Sequence, residues 1–291
     1  MSFDAIARVR RFNRAVTSEV GALDTSFLGR GRPLGAARVL NAIGHGRGDV
    51  GELRDYLSLD SGLMSRLLRG LEEEGLVETV PQAGDARRRI ARLTKAGEAE
   101  FEAYETISDA QAAALLKRDP RAESLLAAMD RVAVALGRAR ITIEEQDPRG
   151  PAARFCLERY YAELARRFEQ GFDVARSRDP DAADMMRPRG AFLVAMLDGG
   201  PLGCVGLKGQ GGAAGEIKRL WVAEAARGFG LARLLMQAAE NAAREIGIGV
   251  LRLDTNRALP EARRLYETSG WTEIPRFNDD PYPDAFFEKR L

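Results

Sequence analysis

The chain has 291 residues, enough for two domains each with its own core, and its 44 basic and 43 acidic side chains leave a formal charge of +1. That balance supplies no global field to draw the protein to nucleic acid or membrane, and residues 1–137 carry equal numbers of basic and acidic groups, so DNA-binding charge must come from local placement. One histidine, His45, argues against a His-based metal site or a Ser-His-Asp triad; Cys156 and Cys204 form no CxxC motif, which predicts reduced, buried thiols and no metal.

The N-terminal segment is polar, with Arg8, Arg10 and Arg11, and lacks a signal peptide's apolar core. No apolar run approaches the roughly 18 residues of a membrane span, so a cytoplasmic protein without a membrane partner is expected. Phe3, Ile6, Val9, Phe12, Val16 and Val20 step by three and four, predicting a long first helix with one apolar stripe. After a Gly/Pro-rich break at Gly29–Pro33, a second helix is expected near Gly35–Ile43. Asp49–Leu57 and Ser61–Glu74 then read as two helices joined by a short turn, with Leu63, Leu67, Leu68 and Leu71 inward. Gly75 ends the second of these. Leu76–Val80 continues as a strand, a polar tip follows at Pro81–Asp85, and Ala86–Leu93 closes a hairpin. Thr94 is placed to cap another helix, and Ala122–Leu136 forms the last one in this half.

A helix-turn-helix followed by a basic hairpin is the layout of a winged DNA-binding module. Ser61, Gly62, Ser65, Arg66 and Arg69 share the polar side of the second helix of the pair, where they can reach base edges and phosphates in a major groove. Arg87, Arg88 and Arg89 crowd the hairpin, where guanidinium groups can grip phosphates or a narrow minor groove. The competing reading is a set of arginines solvating an ordinary helical domain. Ser65–Val77 (SRLLRGLEEEGLV), with Gly84-Asp85-Ala86-Arg87-Arg88-Arg89 and Leu93-Thr94-Lys95-Ala96-Gly97, resembles the recognition helix and Asp-x-Arg wing of the MarR family. The resemblance covers residues 1–137. It implies a homodimer built from the first and last helices, double-stranded DNA as partner, and Asp85 orienting a wing arginine.

The second half reads as strands alternating with helices. A strand is expected at Ala139–Glu144, then two helical segments in 151–178 carrying Phe155, Tyr160, Tyr161, Leu164, Phe168 and Phe172, then a charged loop at Asp179–Arg189. Ala191–Leu197 and Leu202–Leu207 flank Asp198-Gly199-Gly200-Pro201, a hairpin signal. Glu216–Val222 alternates as a strand, and Leu231, Leu234, Leu235, Ala238, Ala242 and Ile246 mark a helix closed by Gly247. Between them lies Arg227-Gly228-Phe229-Gly230-Leu231-Ala232. A glycine-bearing turn into a helix N-terminus presents unpaired N–H groups and the positive end of the helix dipole, which suits a phosphate or pyrophosphate.

The turn is not a dinucleotide fingerprint, because Arg233 stands where the third glycine belongs, and no Gly-Lys-Ser/Thr follows for a nucleotide-triphosphate loop. Arg227-x-x-Gly230-x-Ala232 does resemble the acyl-CoA signature of the GNAT N-acetyltransferases. Further on, Val250–Asp254 reads as a strand, followed by Asn256, a helix from Pro260 with Ala262, Leu265 and Tyr266 on its stripe, Ser269-Gly270-Trp271, and a last strand at Ala285–Leu291. This order resembles the second GNAT signature, and the likeness covers residues 138–291. The fold expected is thus α+β in two domains: a mainly α winged helix-turn-helix (1–137) and an α/β GNAT fold with a central mixed sheet (138–291).

The resemblance implies an acetyl-CoA-dependent N-acetyltransferase acting on a primary amine of a small molecule, peptide or protein lysine. The alternative is a regulator whose second domain senses acyl-CoA without turnover. Leu220, Trp221, Val222, the Arg227–Ala232 turn and Asn256 are the candidate cofactor contacts. Tyr266 is the candidate proton donor to the leaving thiolate, against a plain core role. Alternation puts Glu216, Lys218, Leu220 and Val222 on one face of their strand. Glu216 there fits three roles: base for the amine, attractor of a cationic substrate, or ion-pair partner of Lys218. The aromatics of 151–178 fit either core or acceptor site.

Overall fold

The computed structural model describes residues 3–82, 84–169, 171–174, 182–209 and 212–291. The side chains of Phe3, Ala86 and Arg87, and residues 179–181 of the expected charged loop, lie outside the described set. The chain divides into two compact units, Met1–Ala122 and Glu123–Leu291. That division falls one helix before the 137/138 boundary drawn from the sequence.

The first unit contains α1 (Phe3–Glu19), α2 (Leu34–Gly44), α3 (Val50–Leu57), α4 (Ser61–Glu73), the antiparallel pair β1 (Val77–Gln82) and β2 (Asp85–Leu93), and α5 (Lys95–Arg118). Three short polar side chains start three of these helices. Asp49 accepts from the N–H of Glu52 at 2.9 Å, Asp60 from Leu63 at 2.9 Å and Thr94 from Gly97 at 3.1 Å. Each such cap is worth about 1 kcal/mol, because it satisfies an amide that the helix itself leaves unpaired. Val39, Leu40, Leu53, Met64, Leu68 and Leu71 close the core beneath the hairpin. The stripe on α1 stays outside it: Ile6, Val9, Phe12, Val16 and Val20 are all exposed.

The second unit opens with α6 (Ala122–Gly137), followed by β3 (Thr142–Glu145), α7 (Pro151–Arg167), β4 (Gly190–Leu197), β5 (Gly200–Gly209), β6 (Ala214–Val222), α8 (Leu231–Glu245), β7 (Val250–Thr255), α9 (Pro260–Glu267), β8 (Thr272–Ile274) and β9 (Ala285–Arg290). Seven strands form one mixed sheet in the order β3-β4-β5-β6-β7-β9-β8, and only β6 and β7 run parallel, with α8 as their crossover. Strand alternation sorts the two faces. Ala191, Leu193, Ala195 and Leu197 of β4 meet Leu231, Leu235, Met236 and Ala239 of α8, whereas Phe192 and Val194 meet Ala153 and Cys156 of α7. Each fully buried leucine contributes about 1.5–3 kcal/mol.

Helix α6 is part of this core. Val134 is 1% exposed in the cluster beneath α8, and a Cβ on Gly137 would come within 2.8 Å of Leu197. Arg131 donates to the carbonyl of Arg227 at 3.2 Å and lies 5.1 Å from the centre of the Phe229 ring.

Several expectations need correction. The strand expected at Ala139–Glu144 starts at Thr142, after a 3-10 turn at Arg138–Arg140. Only one helix, α7, is formed in 151–169; Phe168 and Phe172 lie on the irregular segment after it. Ala182–Met185 is a 3-10 turn that buries Met185 fully, not a loop. Between β4 and β5, Asp198 (φ 48°) and Gly199 (φ 84°) form a two-residue hairpin turn with both central residues left-handed. That geometry matches the strand twist and favours glycine.

Candidate functional site

The site is made by a fault in the sheet. β6 pairs with β7 only from Ala214↔Val250 to Ile217↔Leu253; past Ile217 the two strands share no ladder, although β6 runs on to Val222. Just beyond, Arg219 takes a left-handed backbone (φ 57°), and β6 carries one more residue than β5 between Lys218 and Trp221. This β-bulge bends the strand and breaks its two-residue period. The single face expected for Glu216, Lys218, Leu220 and Val222 therefore does not survive.

A groove of about 400 Å³ opens along the free side of β6. Leu220, Trp221 and Val222 line it, and its far end is the turn containing Arg227, Gly228, Gly230, Leu231 and Ala232. Gly230 is the N-cap of α8 at φ 83°, without a side-chain cap, so the first amides of α8 have no partner within the helix. A phosphate fits this concavity and an extended apolar chain fits the groove beside β6. Phe229 does not face the groove; its ring is packed on the core. Arg227 is engaged within the protein. Its guanidinium donates to the Val222 carbonyl at 3.1 Å and to Glu163 of α7 at 2.5 Å.

A second cavity, about 90 Å³, adjoins the groove; Tyr160, Leu164, Leu220, Leu259 and Ala262 border both. Lys218, Arg219, Asp254, Asp280 and Tyr266 face it. Lys218 Nζ lies 2.8 Å from Asp254 and 3.7 Å from Glu216, and Asn278 donates to Asp254 at 2.6 Å. Burial pulls the Lys218 ammonium toward neutrality, but the charge and hydrogen bond of Asp254, with Glu216 and Asp280, outweigh it and raise its pKa. Glu216 is 7% exposed and does not line the cavity, so of its three readings the geometry matches the ion pair with Lys218. Asp254 is the carboxylate that reaches the cavity, and no motif in the sequence singled it out.

Tyr266, on α9, packs against Trp271 and Phe287 and is 5% exposed. Burial, and next the charge of Asp254, push its hydroxyl well above the ordinary tyrosine value. The group therefore keeps its proton at any neutral or mildly basic pH. Asn256 faces the cavity, not the groove, and its amide is committed: it donates to the Tyr282 carbonyl at 2.6 Å and accepts from Ala258 at 2.8 Å. Its place is that of a turn-former. The two cysteines, distant in sequence, meet between α7 and β5: both are buried and unoxidised, and hydrogen bonding between the thiols lowers the pKa of Cys156.

In the first unit, Ser61, Gly62, Ser65, Arg66 and Arg69 all lie on α4, with most of that face open to solvent. The wing arginines differ from one another. Arg88 is tied down, donating to Asp49 at 2.9 Å and Glu52 at 3.1 Å, while Arg89 only approaches Glu72 at 3.7 Å. Among the described residues, no helix is long and apolar enough to cross a membrane, and no group of acidic, His and Cys side chains is placed to hold a metal.

Residues 157–271 match the model of the acetyltransferase (GNAT) family, and residues 30–88 match that of the MarR family. The chain is 31% identical over 157 residues to an IAA acetyltransferase of Azospirillum brasilense, covering 52% of this chain and 98% of that protein. It is 32% identical over 126 residues to an uncharacterised N-acetyltransferase of Schizosaccharomyces pombe, covering 41% and 77%. A solved GNAT-family acetyltransferase of Staphylococcus aureus Mu50 aligns at 18% identity with a TM-score of 0.46, over 52% of this chain and 99% of its own. With both modules matched in this order around a sheet split beside a glycine turn, the chain belongs to the GNAT acetyltransferase family and carries a MarR-family winged helix module ahead of the acetyltransferase in one polypeptide.

Proposed function

We propose that the protein transfers an acetyl group from acetyl-CoA to a primary amine, and that its winged module binds double-stranded DNA as a homodimer. The observation that carries the enzymatic reading is the meeting of the β6 groove with the acceptor cavity, with Tyr266 facing the cavity beside their shared wall. The α8 N-terminus and the Gly228–Gly230 turn hold the pyrophosphate of acetyl-CoA, and the unpaired side of β6 takes its pantetheine arm. When bound, acetyl-CoA supplies an activated acyl carbonyl and a thiolate leaving group.

The amine loses a first proton to water and enters through the cavity faced by Asp254. Its nitrogen attacks the thioester carbonyl carbon; the C–N bond forms as the C–S bond breaks. Asp254 accepts the nitrogen's surplus proton, and Tyr266 donates its own to the departing sulfur, then recovers one from solvent. Glu216 steadies Lys218, which holds Asp254 in place. The placement of Tyr266 at the cavity, beside the wall it shares with the groove, favours turnover over a sensor role.

Gly230→Asp tests the assignment. A side chain at φ 83° is strained, and its carboxylate would oppose the pyrophosphate; only Arg138, at 3.9 Å, lies near the new Cβ, so the fold should stand. Calorimetry should show acetyl-CoA binding by the wild type and none by the variant. Equal affinity would remove the turn from the cofactor site, and binding without acetylation of any amine would leave the sensor reading.

A further inference from the structure

Leu28, Ser58, Asp198 and Arg219 are the non-glycine residues with a left-handed backbone among those described. The first three lie in a 3-10 turn, at a helix C-cap and in a hairpin turn, where such angles recur. Arg219 differs from them in lying inside a strand. A residue with a Cβ resists this conformation, so its surroundings must hold it there.

The neighbouring ladders do not supply that hold. The β5 register passes from Lys218, opposite Gly206, to Trp221, opposite Cys204, and the β7 register stops at Ile217; Arg219 and Leu220 form a span outside both. The side chain that reaches this span is Cys204. Its thiol donates to the Arg219 carbonyl at 3.3 Å, and the same sulfur accepts from the Trp221 backbone N–H. One buried sulfur thus ties together the backbone on both sides of Leu220. Burial, and next the Cys156 thiol against it, push Cys204 well above the ordinary cysteine value, so it keeps the proton that it donates. A thiol is a weak donor, but a dry, low-dielectric interior strengthens the bond. The facing strand fits the bend as well: a Cβ on Gly203 would meet the Trp221 carbonyl at 2.6 Å, so glycine there lets β5 come close.

The consequence falls on the transfer site. Leu220 lines both the groove and the acceptor cavity, and Arg219 lines the cavity together with Phe172 and Tyr282. Relaxing the bulge would shift the residues after it by one position, and such a shift sends each side chain to the opposite face. We propose that Cys204 is a positioning residue for acetyl transfer: by gripping the Arg219 carbonyl, its thiol holds the bulge that sets the thioester in the groove against the amine in the cavity. This rests on the acetyltransferase reading above and gives a role to a thiol that the transfer step itself does not touch.

The test compares Cys204→Ala, Cys204→Ser and Cys156→Ala in the full chain. Serine keeps a donor at position 204, whereas Cys156→Ala opens a like-sized hole in the same cluster and leaves the donor to Arg219 in place. Calorimetry measures acetyl-CoA affinity, and mass spectrometry measures turnover of butylamine, phenethylamine and a lysine-containing peptide. Deuterium uptake follows the amides of residues 216–222. Cys204→Ala should lower kcat by about tenfold or more on whichever amine the wild type acetylates, with acetyl-CoA affinity little changed, because misplacement of the reactants costs rate before binding. It should also speed exchange across 216–222 by about tenfold, as a locally loosened segment does. Cys204→Ser should restore both readouts, and Cys156→Ala should leave both close to wild type. Equal losses in Cys156→Ala and Cys204→Ala would show that packing alone is at work and overturn the proposal. Wild-type turnover and exchange in Cys204→Ala would overturn it too, as would no rescue by serine. If acetyl-CoA binds and none of the three amines is acetylated, the acceptor class is wrong; if acetyl-CoA does not bind, the acetyltransferase reading fails first. In both cases the exchange pattern alone upholds or overturns the grip of Cys204 on the bulge.

Discussion

Arg227 of the cofactor turn and Glu163 of α7 form an ion pair at 2.5 Å, with the Glu163 side chain 12% exposed. Glu163 also accepts from the indole N–H of Trp221 at 3.0 Å and from Arg167 at 3.1 Å, and Arg167 continues to Glu261 of α9 at 2.9 Å. One carboxylate thus fastens the cofactor turn to α7, while Arg167 carries the chain on to the helix that bears Tyr266. It also neutralises the arginine that stands first in the acyl-CoA signature.

Glu163→Gln can keep a carbonyl oxygen that accepts from Trp221 and Arg227, loses the bond from Arg167, and removes the charge. Arg227 would then meet an incoming pyrophosphate uncompensated. With Arg227 40% exposed, solvent screening limits the effect to about 0.5–1 kcal/mol, a two- to fivefold tightening of acetyl-CoA binding at low salt. Calorimetry at two ionic strengths checks both the tightening and its loss at high salt; weaker binding would mean that Glu163 acts by holding Trp221 and Arg167 in place.

Tyr266→Phe should lower kcat by about 10²–10⁴-fold with little change in acetyl-CoA affinity, since it removes a donor needed only as the thiolate leaves. The ring contacts to Trp271 and Phe287 remain, so the melting temperature should barely move. Because the hydroxyl is held well above its ordinary value, the wild-type pH–rate profile should show no falling limb from this residue below pH 10. Activity within a factor of two of wild type under rate-limiting chemistry would remove Tyr266 from the mechanism.

Lys218→Met should destabilise the second unit by about 3 kcal/mol, the lower end for breaking a buried pair, because Asn278 still serves Asp254. The pKa of Lys218 is raised on folding, so its contribution is complete below the ordinary lysine value of 10.5 and is lost as pH climbs through the folded value. Denaturant titrations at pH 8 and pH 11 should show the gap between wild type and variant narrowing at the higher pH. A gap that widens would show that the pair opposes folding.

On the winged module, the arginines should separate by role. Arg89→Ala should flatten the dependence of DNA affinity on salt by about 0.9 in log–log slope for each phosphate that the guanidinium no longer neutralises. Arg66→Ala, on α4, should shift preference among sites by about 1–3 kcal/mol per base pair it reads. Arg88→Ala should lower the melting temperature instead, because its guanidinium is engaged by Asp49 and Glu52. Selection from a random duplex library supplies the sites; a library that yields no enriched sequence would leave the module as a dimerisation scaffold.

Local signals proved readable where a single short stretch determines the outcome. The stripe of α8, the Asp198-Gly199 turn, the cap at Thr94, and the strand–turn–helix around Gly230 each follow from residues adjacent in the chain. The failures involve either a conformation that the residue type disfavours or interactions across long separations. Arg219 occupies left-handed space that side chains with a Cβ seldom adopt, so alternation gave no warning that Leu220 and Val222 would leave the face shared by Glu216 and Lys218. Asp254 becomes a site residue because the ladder beside it ends at Leu253, and Phe172 because Tyr282 comes to meet it from 110 positions on. The pairing of Cys156 with Cys204 is of the same kind.

Helix α6 has a consequence for how such a fusion persists. Although the sequence pattern assigns it to the regulator, Val134 plugs the acetyltransferase core and Arg131 braces the carbonyl of Arg227. An acetyltransferase cut free at residue 138 would carry an open hole under α8 and an unsupported cofactor turn. Splitting the gene at the seam between the two recognisable patterns would therefore damage the half whose own pattern is already whole. Separation needs repair substitutions as well as a cut, a ratchet that holds the two modules in one reading frame.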